Sequence, residues 1–278
     1  MNPHRPGMNE FFGFQHHPFA DTDRHAKAFV SAQDARIRER LLSLLQYGKS
    51  VAVCGPCGVG KSTLTGHIIK SLDPNLYKPV LLHYAGFNRS AFLRAVAERF
   101  GVDTTGRSLP LLVRLQKHLQ GLSAAGNSLF PVLLIDDAQL LERESLLDLC
   151  ALMASAEKKT VAAAIVLIGD DTLRQRLALN VMAPVASRLT TIFRLDALEE
   201  KDAMAFMAFR LKQAKAPEHL FEPAAMEMIA AHCRGNRRHI VNCATLLLEE
   251  AYFRNEKTVS PQTLLECELI GPGSFKMD

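Results

Sequence analysis

Residues 55–62 read Gly55-Pro56-Cys57-Gly58-Val59-Gly60-Lys61-Ser62, a complete G-x-x-x-x-G-K-[ST] loop. Ser50-Val51-Ala52-Val53-Cys54 before it has the apolar, β-branched character of a short buried strand. From Thr63 to Ser71 after it, Leu64, Ile68 and Ile69 recur at helical spacing. A strand, a glycine loop and a helix in that order form a phosphate cradle. Glycines let successive backbone N–H groups converge on phosphate oxygens, and the helix adds the positive end of its dipole. Gly55 to Thr63 are therefore the expected nucleotide-binding residues. Lys61 supplies a mobile charge for the outer phosphates of ATP, and the Ser62 hydroxyl is a ligand for Mg²⁺.

Further along, Phe130 to Ile135 is an unbroken apolar run ending in Asp136 and Asp137. Such a run suits a central parallel strand covered on both faces. An acid at the carboxyl edge of that sheet can hold the Mg²⁺ shell, and Asp136 takes that role. Asp137 then orients or deprotonates the attacking water. A capping role for both acids on the next helix is the plainer alternative. Phosphoryl transfer also builds negative charge that needs a cation, and two arginines are candidates. Arg188 precedes the last strand, from where it could reach a neighbouring subunit's nucleotide. Arg238, in Gly235-Asn236-Arg237-Arg238, opens a helix that could face the phosphates.

Around these motifs the chain alternates strands and helices up to Leu195, with strands at 50–54, 79–84, 130–135, 162–168 and 190–195. That alternation predicts an α/β fold with a parallel five-stranded sheet between helical layers. After Asp196 the strands stop, and helical segments near 199–214, 223–233, 238–254 and 260–269 predict a small all-α lid. The expected division is an aromatic leader and helix over 1–48, a nucleotide-binding core over 49–195 and a lid over 196–278.

Composition fits this plan. The 278 residues are 48% hydrophobic and 22% charged, enough for a substantial core. No window approaches eighteen uninterrupted apolar residues and the polar start lacks a signal-peptide core, so a cytoplasmic protein without membrane contact is expected. Six irregularly spaced cysteines suit a reducing compartment; Cys54 and Cys57 form C-x-x-C, but no second pair completes a metal site. The net charge of +4 is uneven, with 23 Lys+Arg against 16 Asp+Glu before residue 196 and 10 against 13 after it. Six basic residues against two acids between 84 and 121 form a local excess able to meet a polyanion, although three of the arginines, at five-residue spacing, share no single helix face.

With these elements in order, the chain resembles an AAA+ ATPase, and more narrowly the ExeA-like group, whose transposon-borne members include TniB- and MuB-type transposition helpers. Phe11-Phe12-Gly13-Phe14 with Pro18-Phe19 is similar to that group's aromatic opening, which lies near the nucleotide base. Ile135-Asp136-Asp137-Ala138-Gln139 resembles its I-D-E-A-Q, and Gly235 to Ile240 its G-x-P-R-x-I lid motif, which supplies a sensor arginine. The resemblance implies ATP hydrolysis with Mg²⁺, self-association into a ring or filament, binding to duplex DNA with Asn88 and Arg89 at the contact, and recruitment of a transposase. General-secretion members carry a membrane span and a cell-wall-binding region after the ATPase; nothing similar follows here, which favours the transposition branch. Three departures stand out: Asp137 for the usual Glu, Asp170 where a polar uncharged sensor is usual, and Arg237 for the usual proline. The short acid keeps open a second class, a nucleotide-gated switch or adaptor in replication loading or secretion. A metabolic kinase using the same loop would leave the helical lid and its arginine pair unexplained.

Overall fold

The structure is a computed structural model, and it describes residues 6–20, 28–83, 86–105, 109–124, 129–153 and 161–270. Tyr84, at the end of the expected second strand, lies outside the described residues, as does Arg107 of the basic stretch. The chain forms two compact units, one of Ala32–Cys57 with Lys61–Asp196, the other of Met1–Ser31, Gly58–Gly60 and Ala197–Asp278.

The first unit is built on a five-stranded sheet. Its strands are β1 (Ser50–Cys54), β2 (Tyr77–His83), β3 (Phe130–Asp136), β4 (Ala164–Gly169) and β5 (Leu189–Arg194), in the order β2-β3-β4-β1-β5. Every pairing is parallel, as the alternation of strands and helices predicts. The three inner strands are buried at almost every position because both faces are covered. The edge strand β5 instead alternates half-buried with exposed. Pro79 is tolerated because β2 is the opposite edge and pairs with β3 alone.

Helices cover both faces. On one, Phe92, Val96 and Phe100 of α4 (Arg89–Phe100), Leu115 and Leu119 of α5 (Leu111–Ala124) and Leu146, Leu149 and Leu152 of α6 (Arg143–Leu152) pack against Leu133, Ile135, Ile165 and Leu167. The alternate residues of the strands meet the other layer, where α2 (Ala32–Gln46) packs on α3 (Lys61–Ser71) and β1. Two short helices, α7 (Asp171–Leu177) and α8 (Ala183–Ala186), lie between β4 and β5.

The second unit is helical. Its main helices are α9 (Glu200–Gln213), α10 (Pro223–His232), α11 (Arg237–Phe253) and α12 (Pro261–Glu266), matching the four expected segments within a few residues. Pro223 and Pro261 each open their helix, where a missing N–H costs nothing. The aromatic leader belongs to this unit. It contains a short helix, α1 (Met8–Phe12), which sequence periodicity did not reveal. Phe11, Phe12, Phe14 and Phe19 are buried in one cluster with Met207, Phe221, Ile240 and Leu248. Polar contacts fix the same segment: Gln15 N–H donates to Ala214 O at 2.9 Å, and Arg210 donates to Pro18 O and Ala20 O at 2.8 and 2.9 Å. Contacts thus group residues up to Ser31 with the helical part rather than with the sheet, a division different from the expected one at residue 48.

Phe19 is 2% exposed and meets the Phe221 ring edge-on at 5.9 Å. Phe19→Ala should lower the unfolding free energy of the helical unit by about 3 kcal/mol in urea titrations; a loss under about 1 kcal/mol would show the leader to be a loose appendage. Nearby, His17 Nδ1 accepts the Phe19 N–H at 3.2 Å, which requires the unprotonated nitrogen. Burial, with help from Arg210 and against the pull of Glu249, lowers the His17 pKa below its ordinary 6.5. The unfolded chain then takes the proton first, so stability present above pH 6.5 is lost as pH falls toward the folded value. The melting temperature should drop between about pH 7.5 and about pH 5.5, and His17→Gln should flatten that drop. His67 and His239 shift the same way and leave a residual slope.

Candidate functional site

The phosphate loop follows β1 directly. Gly55 sits so close to the end of β5 that a Cβ there would run into the Leu195 carbonyl oxygen, which is why the loop must open with glycine. Leu195 N–H donates to Cys54 O at 2.8 Å and Gly55 N–H to Gly169 O at 3.3 Å, tying the loop's base to both neighbouring strands. Lys61, at the start of α3, folds its ammonium back to donate to Gly55 O and Pro56 O at 2.8 and 2.9 Å. Cys54 is buried, and burial pushes its thiol up to about 11; Cys57 is exposed, and neither is in a disulfide. No cluster of three or more metal-ligating side chains occurs among the described residues.

Ser62 and Asp136 meet. Ser62 Oγ donates to Asp136 Oδ2 at 2.9 Å, although the two are 74 residues apart in sequence. Parallel register brings a third group, since His83 of β2 is the cross-strand partner of Asp136 and its Nδ1 lies 3.4 Å from Oδ2. Sequence reading missed His83, which only strand register reveals. Two converging oxygen donors suit magnesium, a hard cation that binds through one or two protein oxygens and completes its shell with phosphate and water.

Asp137 follows in the left-handed conformation at φ 55 and ψ 36, tolerated by Asp better than by most residues. It precedes a short 3-10 turn, Ala138–Leu140, without a side-chain capping bond, so the capping alternative does not apply to it. Its exposed carboxylate accepts from Gln139 Nε2 at 3.1 Å. Asp170 does what its neighbour does not. Its Oδ1 accepts from Thr172 N–H at 2.9 Å and from Thr172 Oγ1 at 2.5 Å, capping α7. Arg188, ahead of β5, is exposed and donates to Pro184 O at 2.7 Å.

Asn88 and Arg89 have structural partners. Asn88 caps α4 by accepting from Ala91 N–H at 2.9 Å. Arg89 makes a two-point ion pair with buried Asp148, both bonds at 2.7 Å, and its N–H donates to Glu142 at 3.0 Å. The Asp148 carboxylate therefore holds the guanidinium within the sheet unit. Arg94 and Arg99 on the same helix are exposed.

In the helical unit, which includes Gly58–Gly60 by its contacts, the two adjacent arginines differ. Asn236 caps α11, its side chain accepting from the N–H groups of Arg238 and His239 at 3.1 and 3.2 Å. Arg237 is buried; its guanidinium donates to Val59 O and, at 3.4 Å, to Ser31 Oγ. Gly60, at φ 102, has no side chain to obstruct it. Arg238 is exposed, and its backbone N–H donates to Gly58 O at 3.1 Å.

Residues 44–177 match the AAA domain family. The chain is 28% identical over 225 residues to General secretion pathway protein A of Aeromonas hydrophila, covering 79% of this chain and 40% of that protein's length. Among solved structures it is similar to the Aeropyrum pernix ORC2 protein in its ADPNP-ADP complexes, with a TM-score of 0.65 and 16% identity over 90% of this chain and 70% of that one. The Aeropyrum pernix ORC1 protein in complex with DNA is similar as well, with a TM-score of 0.66 and 15% identity over 88% and 67%. No helix among the described residues is long and apolar enough to cross a membrane. Strand order, phosphate loop and acidic strand end agree with these likenesses: the chain has an α/β fold with a parallel five-stranded sheet, and its residues 44–177 are similar to the AAA domain family.

Proposed function

We propose that this chain binds ATP with magnesium, hydrolyses it, and acts as a DNA-bound helper that brings a transposase to its target. The observation that carries the ATPase part is the Ser62–Asp136 contact at 2.9 Å, which unites the phosphate loop with the acidic strand. ATP lies along Gly55 to Thr63, and its phosphates draw Lys61 away from the carbonyls of Gly55 and Pro56. Ser62 and Asp136 would hold magnesium, which would supply positive charge against the phosphate oxygens. Asp137 orients the attacking water and takes its proton. Arg188, exposed ahead of β5, is proposed to complete the site of a neighbouring copy, which makes a ring or filament the working form. Of the lid pair, Arg238 is proposed to sense the phosphates, because Arg237 is spent on Val59 and Ser31.

DNA binding is supported by the similarity to an ORC1 protein solved with DNA and by the basic excess before residue 196. With Asn88 and Arg89 committed to a cap and an ion pair, exposed Arg94 and Arg99 are the better placed phosphate donors of that segment. The client is proposed from the opening and lid motifs, which resemble those of the ExeA-like group that includes transposition helpers. A second reading, a slow nucleotide-gated adaptor, is favoured by the similarity to General secretion pathway protein A and by the short acid at 137.

Lys61→Ala should weaken ATP binding by about one to two orders of magnitude in a fluorescent-nucleotide titration, since a charged phosphate contact is lost. Asp137→Asn should keep ATP binding and lower kcat by about a hundredfold or more. Duplex DNA should raise the wild-type rate, and the rate per subunit should climb with protein concentration. A rate indifferent to both DNA and concentration would favour the adaptor.

A further inference from the structure

We infer that Gln139 is the positioning residue for the Asp137 carboxylate, spanning from that carboxylate to the tip of β4. The inference rests on the reading of Asp137 as the residue that orients water. Gln139 Nε2 donates to Asp137 Oδ1 at 3.1 Å, while its Oε1 accepts the Asp170 N–H at 3.3 Å. The chemistry of the two partners fixes which end of the amide is which, because a carboxylate needs a donor and an N–H needs an acceptor. Neither end is interchangeable.

The base of this side chain is also held. Arg176 of α7 donates to the carbonyl oxygens of Gln139 and, at 2.8 Å, of Leu141, so the turn carrying Gln139 is pinned on both sides. Gly169 leaves room for the amide; a Cβ there would lie 2.7 Å from Gln139 Oε1 and 2.7 Å from a Leu173 methyl. Asp170 contributes its backbone N–H, while its Oδ1 accepts from Thr172. The uncharged polar group beside the catalytic acid is therefore supplied by the turn after β3 and not by a side chain of β4.

An amide suits the task physically. It steers a carboxylate without cancelling its charge, and it adds no negative charge beside a phosphate. Aspartate is one methylene shorter than glutamate, so its direction depends more heavily on the backbone and on this single donor. The left-handed backbone at Asp137 sets the root of the side chain, and Gln139 sets its tip.

The test compares Gln139→Met, which keeps the bulk and loses both hydrogen bonds, and Gln139→Glu, which keeps an acceptor for Asp170 N–H but sets a second carboxylate against Asp137. Steady-state ATP hydrolysis and fluorescent-nucleotide affinity are measured for each, alone and combined with Asp137→Asn. Gln139→Met should lower kcat about tenfold with KM and affinity within about twofold, and Gln139→Glu should lower kcat further. In the Asp137→Asn background Gln139→Met should cause no additional loss, because a residue acting through Asp137 has nothing left to position. Wild-type kcat in both Gln139 variants, or a tenfold loss that persists without the Asp137 carboxylate, would overturn the proposal while leaving Asp137 in place. Wild-type turnover by Asp137→Asn would overturn the acid's role and this proposal together. If Gln139→Met fails to fold, Gln139→Glu and its combination with Asp137→Asn decide the matter alone.

Discussion

A hydroxyl of α3 touching a carboxylate of β3 organises the sheet unit's chemistry. Ser62 and Asp136 meet only if β1 and β3 run parallel in one sheet with their carboxyl ends on the same edge. That condition in turn demands long crossovers, helices on both faces, and inner strands apolar on both sides. The Gly55 approach to Leu195 follows from the β1–β5 pairing, and the His83 meeting with Asp136 from the β2–β3 register. The phosphate loop is thus less an isolated motif than the place where strand order brings distant segments together.

What could be read from the sequence follows from what is local. Strand β1, the loop and α3 were legible because glycine spacing, an apolar run and a helical stripe each act within a few residues. Strand β3 was legible because burial on both faces leaves an unbroken apolar run. The short helix at Met8–Phe12 was not, since five residues carry no periodicity. The leader's partners were hidden too: Arg210 binds Pro18 across 192 residues of chain, and no spacing rule reaches that far. Asp170 lay between the cases. Asp-Asp-Thr ahead of Leu173 is a helix-start signal, and the carboxylate serves as the cap.

The three departures from the ExeA-like pattern have physical counterparts in the structure. Asp170 places its negative charge in a helix cap, where the α7 dipole favours it. Arg237, in place of proline, is buried and binds a backbone carbonyl and a hydroxyl, while Arg238 is exposed. Asp137, shorter than glutamate, has a left-handed backbone and an amide donor beside it. The basic segment teaches the opposite lesson. Arg89 counts toward a polyanion site in the sequence, and the structure pairs its half-exposed guanidinium with buried Asp148, a pairing that composition cannot reveal.

The central claim is that a nucleotide triphosphate and magnesium share the point where Ser62 and Asp136 converge. The most direct measurement is calorimetric titration of the intact chain with ATP, with magnesium present and after chelation, in wild type and Asp136→Asn. One saturable site per chain is expected, weakened by chelation in the wild type and insensitive to chelation in the variant. No uptake of ATP, or wild-type uptake indifferent to magnesium, would contradict the account.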